Sequence, residues 1–255
     1  SEYYRIASAN VTLPVEASKI KFGGLYEFRN RDFTARSFTV IQSRNYAGDI
    51  DGLFTATEQG RVDPSAAFAD SNYSADRLMM SEETRLSDAY TASEQLGAAY
   101  VMADVPFDFV GMKMRFIGGA RVESSLQQLN SFDAQDQAVN PVVDVTDVLP
   151  SINLVISPTE DMNVRLGATQ TLARPSLREF APFSFYNFQI QAVTTGNPNL
   201  TRALIQNYDV RWEMFPNAGE VISVSAFYKT FTNAIEETIL PSTSEVIYSF
   251  QNANG

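Results

Sequence analysis

Charged side chains recur at every second position in several stretches, and they are the residues best placed to do chemistry. Arg115, Arg121 and Glu123 share one parity within 112–123, Arg165 stands within 162–169, and Asp209, Arg211 and Glu213 alternate with apolar neighbours. Groups spaced this way can pair with one another, line a polar wall or meet a charged ligand. Aromatic residues form a second set, in the segments between the alternating stretches: Tyr46, Phe54, Phe68, Tyr73, Phe183, Phe185, Tyr186 and Phe188. Their rings can stack on a flat ligand such as a sugar or a siderophore ring, and the run from Phe183 to Phe188 is the densest. The plainer reading of that run is packing within its own segment.

Catalysis has little to work with. The 255 residues include no histidine and no cysteine, which removes the usual general base, the usual zinc ligand and the Ser-His and Cys-His nucleophile pairs. The chain is read as a non-enzyme without cofactor or metal. A formal net charge of −11 argues against a nucleic-acid partner, because no basic stripe could neutralise phosphates. Residues 125–148 hold Asp133, Asp136, Asp144 and Asp147 and no Lys or Arg. Acidic segments can bind Ca²⁺ or attract a cation, but this spacing matches no calcium loop, and solvated surface is the reading adopted.

The elements that must position these residues are strands. In Met112–Glu123, Met112, Met114, Phe116, Gly118, Ala120 and Val122 take one face, and Lys113, Arg115, Ile117, Gly119, Arg121 and Glu123 take the other. The same rhythm runs through 19–29, 162–169, 208–214 and 222–229, with weaker versions at 92–103, 151–157 and 245–250 and a further one at 2–9. Short connections at 104–110, 157–161 and 215–220, marked by Pro106, Pro158 and Pro216, and another at 12–18, alternate with long ones at 41–91, 125–148, 174–205 and 237–244. Within the first long connection, 74–90 is rich in Ala, Glu, Leu and Met and is expected to contain some helix.

Strict alternation of short and long connections is the layout of a barrel with tight turns on one rim and long loops on the other. A soluble β-sandwich and a lipocalin-like barrel also alternate along their strands. The first does not sort loops by parity, and the second is too small for this strand number. The fold class expected is therefore all-β: an antiparallel up-and-down transmembrane β-barrel, present as about 8–9 strands of a larger barrel. The charged parity then faces the lumen, since Arg or Lys toward lipid costs roughly 2–4 kcal/mol at mid-bilayer. The apolar parity is expected to carry Phe22, Tyr26, Tyr100, Tyr208, Trp212 and Tyr228 toward lipid, some at the interfaces.

Several motifs occur in an order that resembles one family. They include Leu149-Pro150-Ser151-Ile152-Asn153-Leu154, Met162-Asn163-Val164-Arg165-Leu166-Gly167-Ala168 and Thr171-Leu172-Ala173-Arg174-Pro175-Ser176. Gly196-Asn197-Pro198-Asn199-Leu200, Asn207-Tyr208-Asp209-Val210-Arg211-Trp212-Glu213 and Ser225-Ala226-Phe227-Tyr228-Lys229 follow. Together they closely resemble the β-barrel half of TonB-dependent receptors. The resemblance implies active uptake of a scarce nutrient across the bacterial outer membrane through a plugged barrel of about 22 strands. The implied partners are the receptor's own plug domain, a TonB-type energy transducer, outer-membrane lipid or lipopolysaccharide, and a small nutrient ligand. No plug, energy-coupling box or final aromatic-ended strand is recognised in the sequence. The charged wall then either contacts plug or substrate, or is simply solvated and cross-paired, which is the plainer reading. A passive porin-like channel and a non-transporting adhesin or assembly subunit remain as alternative functions.

Overall fold

The computed structural model describes residues 1–45, 69–74, 76–133, 135–187, 191–241 and 246–253, with Tyr186 and Asn187 described by backbone alone. Its strands are β1 (Glu2–Val15), β2 (Ser18–Thr34), β3 (Phe38–Gln42), β4 (Leu78–Glu82), β5 (Ala89–Phe109), β6 (Met112–Phe132), β7 (Ala138–Val139) and β8 (Val142–Thr159). They continue with β9 (Met162–Ala173), β10 (Ser184–Asn187), β11 (Ala192–Thr195), β12 (Ala203–Met214), β13 (Ile222–Thr232), β14 (Ala234–Leu240) and β15 (Ile247–Ala253). One short helix, α1 (Leu177–Phe180), follows β9.

The main sheet runs β1-β2-β5-β6-β8-β9-β12-β13, with β7 on β6, and every pairing in it is antiparallel. It is an up-and-down meander that leaves β1 and β13 as open edges. Its register separates two faces. Leu13, Ile20, Ala103, Gly118, Ile152, Ala168, Tyr208 and Tyr228 stand in one cross-strand row. The next row, one residue along, is Thr12, Lys21, Met102, Gly119, Ser151, Thr169, Asn207 and Lys229. The apolar face is exposed: Phe22, Val101, Val122, Ile152, Val210 and Tyr228 all lie open. Apolar surface on this scale needs a covering, and a bilayer supplies one to a sheet whose backbone groups are already paired. No helix among the described residues is long and apolar enough to cross a membrane.

The strands outrun their hydropathy signal. β6 extends to Phe132 and β8 begins at Val142, so the connection expected over 125–148 shrinks to 133–141. Past Val122 the contrast between the two parities is lost (Ser124, Ser125, Gln127 and Gln128 fall on both), so the periodicity ends before the strand does. The ladder continues regardless, since backbone hydrogen bonds do not depend on side-chain polarity. The turns also move. Pro106 does not mark one: it pairs opposite Arg115 inside β5, and the chain reverses at Val110-Gly111, both with positive φ. That is the left-handed geometry a two-residue hairpin needs. The turn expected over 12–18 tightens to Glu16-Ala17.

Three further expectations are corrected. In 74–90 the described residues form no α-helix; they make β4 and a 3-10 turn at Leu86–Asp88, because β4 finds a partner in β3. Tyr100 lies on the polar face, opposite Gly23 and Arg121. Its neighbours Ala99 and Val101 are no less apolar than Ala98 and Met102, so the sequence does not fix the parity there. The 245–250 segment adds no strand to the main sheet. β15 joins β14, β11 and β10 in a second sheet ordered β10-β11-β15-β14.

Candidate functional site

The seven charged residues singled out by spacing share the polar face. Arg115, Val155, Arg165 and Arg211 form one row; Asp209 lies opposite Gly167, Glu213 opposite Asn163, Arg121 opposite Tyr100, and Glu123 opposite Asp147. Arg165 and Arg211 are direct cross-strand neighbours, which alone would be repulsive. Glu213 resolves this by accepting from Arg165 Nε and Arg211 Nε, each at 2.7 Å. Arg115 grips Asp104 with two parallel bonds of 2.7 and 2.6 Å. A third group joins different elements: Arg121 and Arg174 both donate to Glu123, at 2.5 and 2.7 Å, and Arg202 donates to Asp147.

Arg174 and Arg202 were not read from sequence as wall residues, and Asp147 was read as solvated surface. They stand at the two necks of the 174–202 segment, which folds back over the polar face. Ser176 caps α1, accepting from Glu179 N while Glu179 accepts from Ser176 N. This sets Leu177, Phe180 and Ala181 against Tyr90, Ala92 and Leu129 of the wall, with Leu200 beside them, and together they form the buried core. Gln127 on the wall donates to the Pro175 carbonyl at 3.3 Å. The fold-back explains why polar wall residues such as Ser125, Gln127, Glu123 and Asp147 are buried. A composition scan could not find this. The available signal was the capping box with apolar Leu177 and Phe180 behind it, inside a segment read as loop.

At the mouth an aromatic ladder runs from wall to fold-back segment. Tyr90 stacks on Phe33 at 5.1 Å between centroids, Phe33 meets Phe183 edge-on at 4.9 Å, and Phe183 stacks on Phe185 at 6.2 Å. The guanidinium of Arg178 lies 4.0 Å from the Phe185 centroid. Beside the ladder is a cleft of about 560 Å³ lined by Arg36, Glu83, Arg85, Asp88, Phe183, Ser184 and Phe185, among others. Its aromatic floor and mixed charged rim can hold a polar ring-bearing ligand. Near it, Arg36 bridges Glu82 through two bonds of 2.9 Å, which with the Thr84 hydroxyl holds the exposed Glu82 carboxyl down at about 2.

Of the aromatic candidates, Phe183 and Phe185 meet at this cleft and Tyr186 lies in β10 opposite Val193. Tyr73 lines a separate opening with Asp70, Met79 and Met80. Tyr46, Phe54, Phe68 and Phe188 lie outside the described residues.

The sequence matches the family described as TonB dependent receptor-like, beta-barrel over residues 3–255. The chain belongs to that family. Solved structures similar to this receptor chain include the ferric enterobactin receptor of Pseudomonas aeruginosa, at 14% identity and TM-score 0.40, covering 98% of this chain and 39% of that one. The siderophore receptor PirA of Acinetobacter baumannii gives 11%, 0.42, 99% and 40%. The Serratia marcescens hemophore receptor HasR, solved with its hemophore and heme, gives 11%, 0.48, 98% and 44%. The receptor chain thus spans about two fifths of the length of these structures. No curated protein matches it.

Proposed function

We propose that this chain forms part of the wall and mouth of an outer-membrane receptor that takes up a scarce nutrient, using energy relayed by a TonB-type transducer. The observation that carries the reading is the two-faced sheet: an exposed apolar face suited to lipid, backed by an ion-paired polar face whose mouth is covered by a folded segment. Family membership agrees, since TonB-dependent receptors are outer-membrane proteins of Gram-negative bacteria. In this reading Arg115, Arg121, Glu123, Arg165, Asp209, Arg211 and Glu213 face the lumen and the receptor's own plug domain. The apolar face meets lipid and, in the outer leaflet, lipopolysaccharide. Phe183 and Phe185 offer the first aromatic surface to a ligand. The similar structures include a ferric enterobactin receptor and a hemophore receptor solved with heme, and ferric enterobactin and heme join the substrates to be screened.

The test is uptake by cells carrying the full-length gene, measured with a panel of radiolabelled iron chelates and heme. Uptake of at least one probe should appear with the gene and vanish when the energy transducer is deleted. Uptake that survives the deletion would make the protein a passive channel, and binding with no uptake of any probe would favour an adhesin or assembly role.

A further inference from the structure

We propose that Asp32, Thr91, Asn130, Phe132 and Asn140 form a binding site for an uncharged saccharide on the outer wall of the sheet, on the side away from the mouth cleft. Its ligand is therefore not the cargo, and the inference shares with the uptake reading only the assignment of the two faces.

The register brings these side chains together. Asp32 and Asn130 both pair with Thr91, so the three form one cross-strand row through β2, β5 and β6. Directly opposite side chains on neighbouring strands stand about 4.5–5.5 Å apart, within the span of a small ring. Phe132 is the next residue of β6 on the same face as Asn130, and Ala138 of β7 pairs with it. Asp32, Thr91, Asn130 and Phe132 share the parity of Phe22, Val101 and Val122, which places them on the outer face. Their inward neighbours Phe33 and Tyr90 meet the fold-back segment, so the sheet itself separates this site from the cleft at Phe183 and Phe185.

The row borders a cavity of about 350 Å³, and Asn140 and Ala138 close it from the side of β7. Sites for small ligands have volumes of roughly 300–1,000 Å³. The lining selects the ligand by its chemistry. Among the described residues that line the cavity, none is Lys or Arg and Asp32 is the one carboxylate, so a phosphate or a carboxylate ligand would find no cation. Phe132 is 36% exposed and offers a flat apolar surface. Around it stand planar groups with two hydrogen-bonding atoms each, the Asp32 carboxylate and the Asn130 and Asn140 amides, and the Thr91 hydroxyl lies between Asp32 and Asn130. All four side chains are exposed. Apart from a bond of 3.2 Å from Ser1 Oγ to Asp32 Oδ2, they take no partner among the described residues. A sugar ring has the complementary pattern. Adjacent hydroxyls around its edge each donate and accept, and one face of C–H groups packs on an aromatic ring.

The site is preformed. Asp133 Oδ1 accepts from Gln135 N and Gln137 N, both at 2.9 Å, and the Asp133 amide donates to the Gln137 carbonyl at 2.9 Å, which ties the two arms of the β6–β7 hairpin. Leu129 N donates to the Pro141 carbonyl at 3.1 Å further down the same hairpin. Ser131 Oγ donates to the Ala89 carbonyl at 3.1 Å and holds β6 to β5 beneath the cavity. Groups already held in place cost a ligand little ordering when it binds.

The test uses the full-length receptor, purified in a detergent without a sugar head group, with binding read by calorimetry. The probes are maltoheptaose, cellohexaose, the delipidated and dephosphorylated oligosaccharide of the strain's own lipopolysaccharide, and polygalacturonate as an acidic comparison. At least one uncharged probe should bind, and polygalacturonate should not. Phe132→Ala should weaken that binding roughly tenfold, the worth of one aromatic contact. Asn130→Ala should weaken it about three- to tenfold, the worth of one hydrogen bond. Only variants with parental heat-modifiable migration are compared, and Asn130→Ala carries the test if Phe132→Ala fails to fold. Phe185→Ala, in the mouth cleft, should leave the binding unchanged. Binding confined to the lipopolysaccharide oligosaccharide places the sugar in the protein's own membrane, binding of the glucose oligomers places it outside the cell, and each upholds the site. Binding of no uncharged probe, preference for polygalacturonate, or binding that Phe185→Ala abolishes and the outer-wall variants leave intact would overturn it. The measurement involves neither the energy transducer nor transport, so its failure is distinct from failure of the uptake experiment.

Discussion

Adjacent residues of β8 offer the sharpest test of which face meets lipid. Ile152 stands on the apolar face opposite Gly118 and Ala168, and Ser151 on the polar face opposite Gly119 and Thr169. Ile152 is 49% exposed in the chain, so in a bilayer its surroundings would be acyl chains. An arginine there must bring a charge into hydrocarbon, which costs roughly 2–4 kcal/mol near the midplane of a barrel. The neighbouring glycine and alanine offer no carboxylate to offset it. At Ser151 the same side chain enters a face that already carries Arg121 and Asn153, and the expected cost is under about 1 kcal/mol, as for an ordinary polar-surface change. A difference of about 2 kcal/mol is a roughly 30-fold change in the folded fraction. The assay is reversible urea unfolding of the full-length receptor in lipid vesicles, comparing Ile152→Arg and Ser151→Arg with parent. Ile152→Arg should shift the midpoint strongly and Ser151→Arg little. Equal shifts, or the larger at Ser151, would refute the facing assignment together with the register on which it rests.

Other expectations concern single contacts. Gly23→Ala should weaken the β1–β2–β5 seam by about 1–3 kcal/mol, since a Cβ there meets Asn10, the Ala9 carbonyl and the Tyr100 ring; loss of heat-modifiable folding would register it. Gly196→Ala collides with the carbonyls of α1 and should loosen the fold-back segment, read as faster proteolysis between 174 and 202 in an otherwise intact receptor. Glu82 is a carboxylate with its folded pKa lowered, from 4.5 to about 2, so the Arg36–Glu82 contribution is fully present above pH 4.5 and is lost as pH falls toward 2. Proteolytic sensitivity of the β3–β4 hairpin should rise over that window in the parent, whereas Glu82→Gln should be sensitive already at neutral pH.

Much of the sheet was legible because its physics is local. Alternation at Met112–Glu123 and Asp209–Glu213 reports a strand with unlike surroundings on its two sides, and it set Arg121 and Glu123 on a shared face before any neighbour was known. The same logic failed where the two sides became alike. Ser124–Phe132 continues β6 without contrast, and at Tyr100 small and apolar residues occupy both parities. Proline marked the reversal at Pro216, but Pro106 is accommodated within a paired strand.

Composition and spacing thus determined on their own that the chain builds an antiparallel two-faced sheet, that its charges share one side, and that thiol and imidazole chemistry are absent. Only the tertiary structure decided that 174–202 turns inward, that Arg174 and Arg202 meet Glu123 and Asp147, and that β15 leaves the main sheet for a partner in a distant loop. Alternation reflects the environment each residue faces across its own strand. The fold-back depends on apolar groups such as Phe180 and Tyr90, about ninety residues apart, finding each other, and no periodicity in either segment encodes that meeting.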